Sequence, residues 1–170
     1  MKKVIKVMLT CFVLLSTASI HAATITGSFG VGGAYSATGG AGSDMSDVTA
    51  IDFSAAGVVP NITSSGLFAT TIINGSITGS GGSLDLSSAV PPGGIDLIID
   101  IGGWTFNLDT FSIDKQDAGE LWLSGSGMVS GNGYTPTQAN WSFSAVSRTN
   151  YGMTVTAVPV PAAVWLFGTG

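Results

Sequence analysis

From Thr24 to Ala157 apolar residues recur at every second position, in short runs bounded by Gly, Ser, Asn and Pro. A period of two is the signature of a strand that buries one face, and Gly, Ser, Asn and Pro are turn residues. Trp104, Phe106 and Leu108 share one face, with Thr105, Asn107 and Asp109 opposite. Leu121 and Leu123 repeat the pattern and turn Trp122 the other way, and Gln138 to Ser144 points Ala139, Trp141 and Phe143 inward. Shorter runs at Thr24 to Phe29, Asp47 to Phe53, Leu67 to Ile73, Ser83 to Leu86, Ile95 to Ile101 and Met153 to Ala157 complete the series.

Helices are excluded by the same pattern. Beyond the first 22 residues no apolar i, i+3, i+4, i+7 run continues beyond two turns without a Gly or β-branched interruption. Helix propensity is poor where Gly, Ser and Thr dominate. The fold class expected is all-β: a single-domain antiparallel β-sandwich, with a jelly roll among the arrangements that fit. The 25 glycines suggest low complexity, but 45% hydrophobic residues suffice for a core. The Gly-rich segments 30–43, 79–82 and 125–133 read as hairpin turns or loops. No internal repeat suggests a solenoid.

The first 22 residues stand apart. Lys2, Lys3 and Lys6 precede an apolar run from Val7 to Ile20, and Ala22 and Ala23 supply small residues for cleavage after Ala22. This is the layout of a secretory signal peptide. Cys11 does not read as a lipidation site, because the segment ahead of it is short and Phe12 to Leu15 continues the apolar run. The domain proper is then 23–157.

Removing residues 1–22 takes away the only Cys and the only His. Two basic residues, Lys115 and Arg148, remain against ten acidic ones, a net formal charge of −8. Such a surface repels nucleic acid and anionic membranes. Without Cys, stability rests on burial and strand pairing rather than disulfides.

Losing His and Cys also bars Ser-His-Asp and Cys-His nucleophilic machinery and the usual zinc ligands. A Ser-Lys dyad would need Lys115, within Asp114-Lys115-Gln116-Asp117, which reads as an exposed turn. Paired carboxylates could hydrolyse glycosides. However, Asp96 and Asp100, four apart in one strand, are separated by roughly 13 Å along it. The expectation is a protein without enzymatic activity and without a cofactor.

Two ligand sites remain. Asp114, Asp117 and Glu120 near Gly119 form an acidic turn that is a weak calcium candidate. Trp122, flanked by Glu120 and Ser124, and Tyr134, in the Gly131-Asn132-Gly133-Tyr134-Thr135-Pro136 loop, are candidates for stacking on sugar rings. Trp104 and Trp141 read as core.

The segment from 158 to 170 is different again. It runs Val158-Pro159-Val160-Pro161-Ala162-Ala163-Val164-Trp165-Leu166-Phe167-Gly168-Thr169-Gly170. The two prolines fix φ and push Val158 and Val160 toward extended backbone. Ala162 to Phe167 is wholly apolar, with Trp165 suited to a membrane interface. Val158, Pro159, Pro161, Ala162, Ala163, Trp165, Leu166, Phe167 and Gly168 together resemble the start of a PEP-CTERM sorting signal, the C-terminal tag of exosortase substrates. Val160 stands where the name-giving Glu would be. The rest of the hydrophobic helix and its basic cluster are absent, so the sequence reads as the truncated start of a longer one.

The resemblance implies an exported protein, transiently anchored in the inner membrane by this tail. It implies an exosortase-type protease as processing partner. The destination it implies is the cell envelope, cell surface or extracellular exopolysaccharide and biofilm matrix. A carbohydrate-binding module and, more remotely, a carboxylate hydrolase are the alternatives.

Overall fold

The computed structural model describes residues 23–40, 42–54, 59–72, 79 and 81–159. The signal-peptide reading of 1–22, with Ala22, lies outside the described residues. So does the sorting-signal reading of Pro161, Ala162, Ala163, Trp165, Leu166, Phe167 and Gly168.

Ten strands form in chain order: β1 (Ser28–Ala34), β2 (Ser36–Thr38), β3 (Ala50–Asp52), β4 (Val59–Ser64), β5 (Ser83–Asp85), β6 (Ile95–Ile101), β7 (Trp104–Gln116), β8 (Leu121–Gly131), β9 (Tyr134–Ala145) and β10 (Asn150–Ala157). A large curled sheet has the order β4-β1-β10-β9-β8-β7-β6, and a small one has the order β2-β3-β5. The pairings between these strands are antiparallel, and no α-helix occurs among the described residues. The fold is an all-β, sandwich-like single domain. Its order is a meander from β6 to β10, extended by β1 and β4, rather than a jelly-roll interleaving.

Local chemistry sets the meander. Gly102 and Gly103 (φ 60 and 81) turn β6 into β7, and Asn132 and Gly133 (φ 51 and 77) turn β8 into β9. Two positive φ values in a two-residue loop match the right-handed twist of the flanking strands. Between the layers, Phe53 beyond β3 meets Tyr151 of β10 at 4.7 Å and Phe143 of β9 at 6.0 Å, centroid to centroid. Phe29, Phe106, Leu123, Trp141 and Val155 of the large sheet and Ile51 and Leu84 of the small one are buried in the same core.

Four local expectations are corrected. The strand expected over Leu67 to Ile73 does not form over 67–72, where Gly66–Thr70 is a 3-10 turn; Ile73 lies outside the described residues. Its amides find partners locally, Phe68 N on Ser65 O (3.3 Å) and Thr71 N on Phe68 O (3.2 Å). It plugs the core with Phe68, whose ring lies 4.7 Å from Phe29 and 4.9 Å from Trp104. Gly30 to Gly33 is not a loop but part of β1, where Phe29 and Val31 point inward.

Gly125 and Gly127 likewise lie inside β8 rather than in a loop. A Cβ on Gly125 would fall 2.2 Å from Thr110 O, and one on Gly127 2.1 Å from Asn107 O. β7 bulges between Leu108 and Thr110 and crowds β8 there, so glycine serves close approach, not turning. The exposed turn expected at Asp114–Asp117 begins later, since β7 continues to Gln116. Gln116 Nε2 donates to Met45 O (3.1 Å) and Val48 O (2.8 Å), which holds that end of the strand in register.

Candidate glycan-binding groove

The outward face of the large sheet is paved with small residues. Across β7, β8, β9, β10 and β1, one row runs Ser112, Ser124, Ser142, Thr154, Gly30. The next runs Lys115, Trp122, Ser144, Gly152, Gly32, and on the other side lies Thr110, Ser126, Asn140, Thr156, Ser28. Neighbouring strands are about 4.8 Å apart and alternate residues along a strand about 7 Å. Hydroxyls of β7 and β8 lie side by side: Ser112 and Ser124 Oγ are 3.1 Å apart, and Thr110 and Ser126 hydrogen-bond at 2.9 Å.

Curling of the sheet turns part of this face into an open groove of about 450 Å³. Gly30, Gly152, Ser142, Ser144, Thr154 and Thr63 line it, and Trp122 and Asp114 also border it. Gly152 is not required by packing: a Cβ there would meet only Ser144 Oγ, at 4.0 Å. Its absence leaves the floor open.

Trp122 is 46% exposed, in contrast to Trp104 (0%) and Trp141 (2%), which are core. It leaves the sheet outward because Leu121 and Leu123 on either side are buried. Lys115 Nζ lies 5.3 Å from the Trp122 ring centroid. The ammonium is held there by Glu120 Oε2 (2.5 Å) and Asp117 Oδ2 (3.2 Å). Glu120 first, and Asp117 second, raise the Lys115 pKa above the ordinary lysine value. Asp117 Oδ1 accepts the backbone N–H groups of Gly119 and Glu120, both at 2.9 Å. The Gly119 amide, then Lys115, draws the Asp117 carboxyl below the usual range.

That arrangement splits the calcium candidate. Asp117 and Glu120 are both engaged by Lys115, while Asp114 Oδ1 accepts from Ser112 (3.1 Å) and Ser124 (3.0 Å) on the outer face. Among the described residues no three such side chains gather in a way that could hold a metal ion. Lys115, the one lysine for a Ser-Lys dyad, is the same pinned ammonium. Asp96 accepts from Asn107 Nδ2 (2.8 Å), and Asp100 (φ 55) accepts from the Gly103 amide (3.1 Å) to brace the β6–β7 turn.

Tyr134 does not join Trp122. The two are paired at opposite ends of β8, Trp122 opposite Ser144 and Tyr134 opposite Gly131, about 30 Å apart by strand rise. Tyr134 opens β9 and stacks on buried Trp104, with centroids 5.7 Å apart and planes 28° apart. Trp104 in turn donates Nε1–H to Thr71 Oγ1 at 2.7 Å. The loop position expected for ligand binding is thus occupied by a core cover.

At the domain's margins, Ala23 O accepts from Thr135 N (3.2 Å), and Val158 N donates to Gln138 O (2.7 Å) before exposed Pro159. What the sequence reading missed is the floor of the groove. Its signal was present: Ser142 and Ser144, and Thr154 and Thr156, alternate with the apolar residues of β9 and β10. Chemically, the groove offers hydroxyl donors and acceptors, one carboxylate and one aromatic face beside an open, flat floor. Compared with known proteins, the chain matches no family model, no curated protein and no solved structure.

Proposed function

We propose that this is an exported, non-enzymatic β-sandwich protein that binds a polysaccharide along the outer face of its large sheet. The observation that carries the reading is exposed Trp122 standing beside a groove floored by Gly, Ser and Thr. Stacking on an indole face and many small hydroxyl contacts suit a sugar chain, which is amphipathic and rich in hydroxyls. The tail beginning at Val158 and Pro159 supports delivery to the cell envelope, cell surface or surrounding exopolysaccharide and biofilm matrix. An exosortase-type protease is then the processing partner.

The groove is tested with the full chain on a glycan array, alongside Trp122→Ala and Gly152→Val. The valine fills the floor where the native Cβ position is open. Binding lost in both variants, with unchanged melting, supports the reading. An array without hits, or two variants that bind like the native chain, ends it. Delivery is tested separately by deleting 158–170 in the source cell: unchanged localisation removes the sorting role and leaves the groove untouched.

A further inference from the structure

The same groove bears on the charge of the proposed glycan, an inference that rests on the glycan-binding reading above. Among the described residues that line the groove, Asp114 is the one charged side chain. Its Oδ1 accepts from both Ser112 and Ser124, so the carboxylate is held in place while Oδ2 has no hydrogen-bond partner among the described residues. Ser124 and Trp122 are alternate residues of β8, about 7 Å apart on one face. The nearby cation does not compensate Asp114, since Lys115 Nζ is bound by Asp117 and Glu120.

We infer that the groove selects a cationic amino-sugar polymer, its ring on Trp122 and its free ammonium on Asp114. A carboxylate that borders the groove and is fixed by two hydroxyls through one oxygen can make a short charge-assisted hydrogen bond to an ammonium through the other. An N-acetylated sugar brings a neutral amide and forfeits that bond. A uronate brings a second negative charge against Asp114 and against a domain of net charge −8.

The test is calorimetric titration of the full chain with three probes: a glucosamine hexamer, its fully N-acetylated counterpart and a galacturonate hexamer. The glucosamine hexamer binds at least tenfold more tightly than the other two. Asp114→Asn removes most of that tenfold advantage. Asp47→Asn, which removes an equal charge from an exposed site outside the groove, leaves it within twofold.

Equal or tighter binding of the N-acetylated probe, or an Asp114→Asn variant that keeps the preference, overturns the charge selection. If Trp122→Ala still abolishes binding in those cases, the glycan reading survives without it. A preference that Asp47→Asn erodes as much as Asp114→Asn is general attraction of a polycation and also overturns the inference. No binding by any probe, with Trp122→Ala indistinguishable from the native chain, takes down the groove itself.

Discussion

Lys115 holds its ammonium 5.3 Å from the centroid of the Trp122 ring while Asp117 and Glu120 grip it from the other side. The three charged groups belong to the end of β7 and the following turn, and they fix an exposed indole from β8 in one orientation. A cation over an exposed ring is worth about 0.5–1 kcal/mol. Trp122→Ala should therefore shift the denaturation midpoint only slightly, by about 1 kcal/mol or less, while removing glycan binding. Urea titration and binding on the same preparation separate the two effects.

Phe68 should matter far more to folding. It is fully buried, it sits on a 3-10 turn rather than a strand, and it touches Phe29 and Trp104. Phe68→Ala leaves a cavity between those rings and should cost about 3–5 kcal/mol. Equilibrium denaturation measures it, and a loss under about 1 kcal/mol would mean that the turn is not an integral part of the core.

Two buried tyrosines make opposite predictions. The Tyr35 hydroxyl donates to Ser147 O at 2.7 Å, whereas that of Tyr151 has no hydrogen-bond partner among the described residues. Burial pushes Tyr35 up to about 12, against a smaller opposing pull from Arg148, and burial raises Tyr151 further. Tyr35→Phe strands a carbonyl and should destabilise by about 1 kcal/mol, while Tyr151→Phe should be neutral or stabilising. Comparing the two melting curves decides it.

Acid stability follows from a repeated local device. Asp44, Asp52 and Asp85 each accept the backbone N–H of the Ser two residues on, at 2.8 Å. The Ser hydroxyls, followed by those amides, lower all three carboxyls below 3.8. A depressed folded pKa adds stability that is fully present above the unfolded value and is lost as pH falls through the folded one. Melting should thus be flat from pH 7 to 5 on this account and fall below about pH 4. Replacing Ser46, Ser54 and Ser87 with Ala together should flatten that fall, as read by melting temperature against pH.

The sequence revealed some of this and hid the rest for identifiable reasons. Trp104 and Trp141 inward and Trp122 outward follow from one rule, because each alternates with residues of known preference over several positions. Leu67 to Ile73 misleads because a short apolar run does not distinguish a strand from a turn that buries one ring. Gly125 and Gly127 look like loop residues, yet what demands them is the bulge in β7, a feature of the partner strand. Tyr134 looks like a loop residue free to bind because the ring it covers, Trp104, lies on another strand. The groove needed the strand order, since no single strand contains a row.

The pairing of β1 with β10 gives the fold a clock. Phe29 lies opposite Val155, so the earliest strand completes one of its two pairings only with nearly the last residues of the domain. The hairpins from β6 to β10 close over short loops and can form early, while this long-range seam carries most of the loop-closure cost. In a chain synthesised from its N-terminus, β1 therefore waits for its β10 partner until residue 157 has been made. Val158, whose N–H bonds Gln138 O at 2.7 Å, follows the seam immediately. A chain stopped short of residue 150 would leave β1 paired with β4 alone.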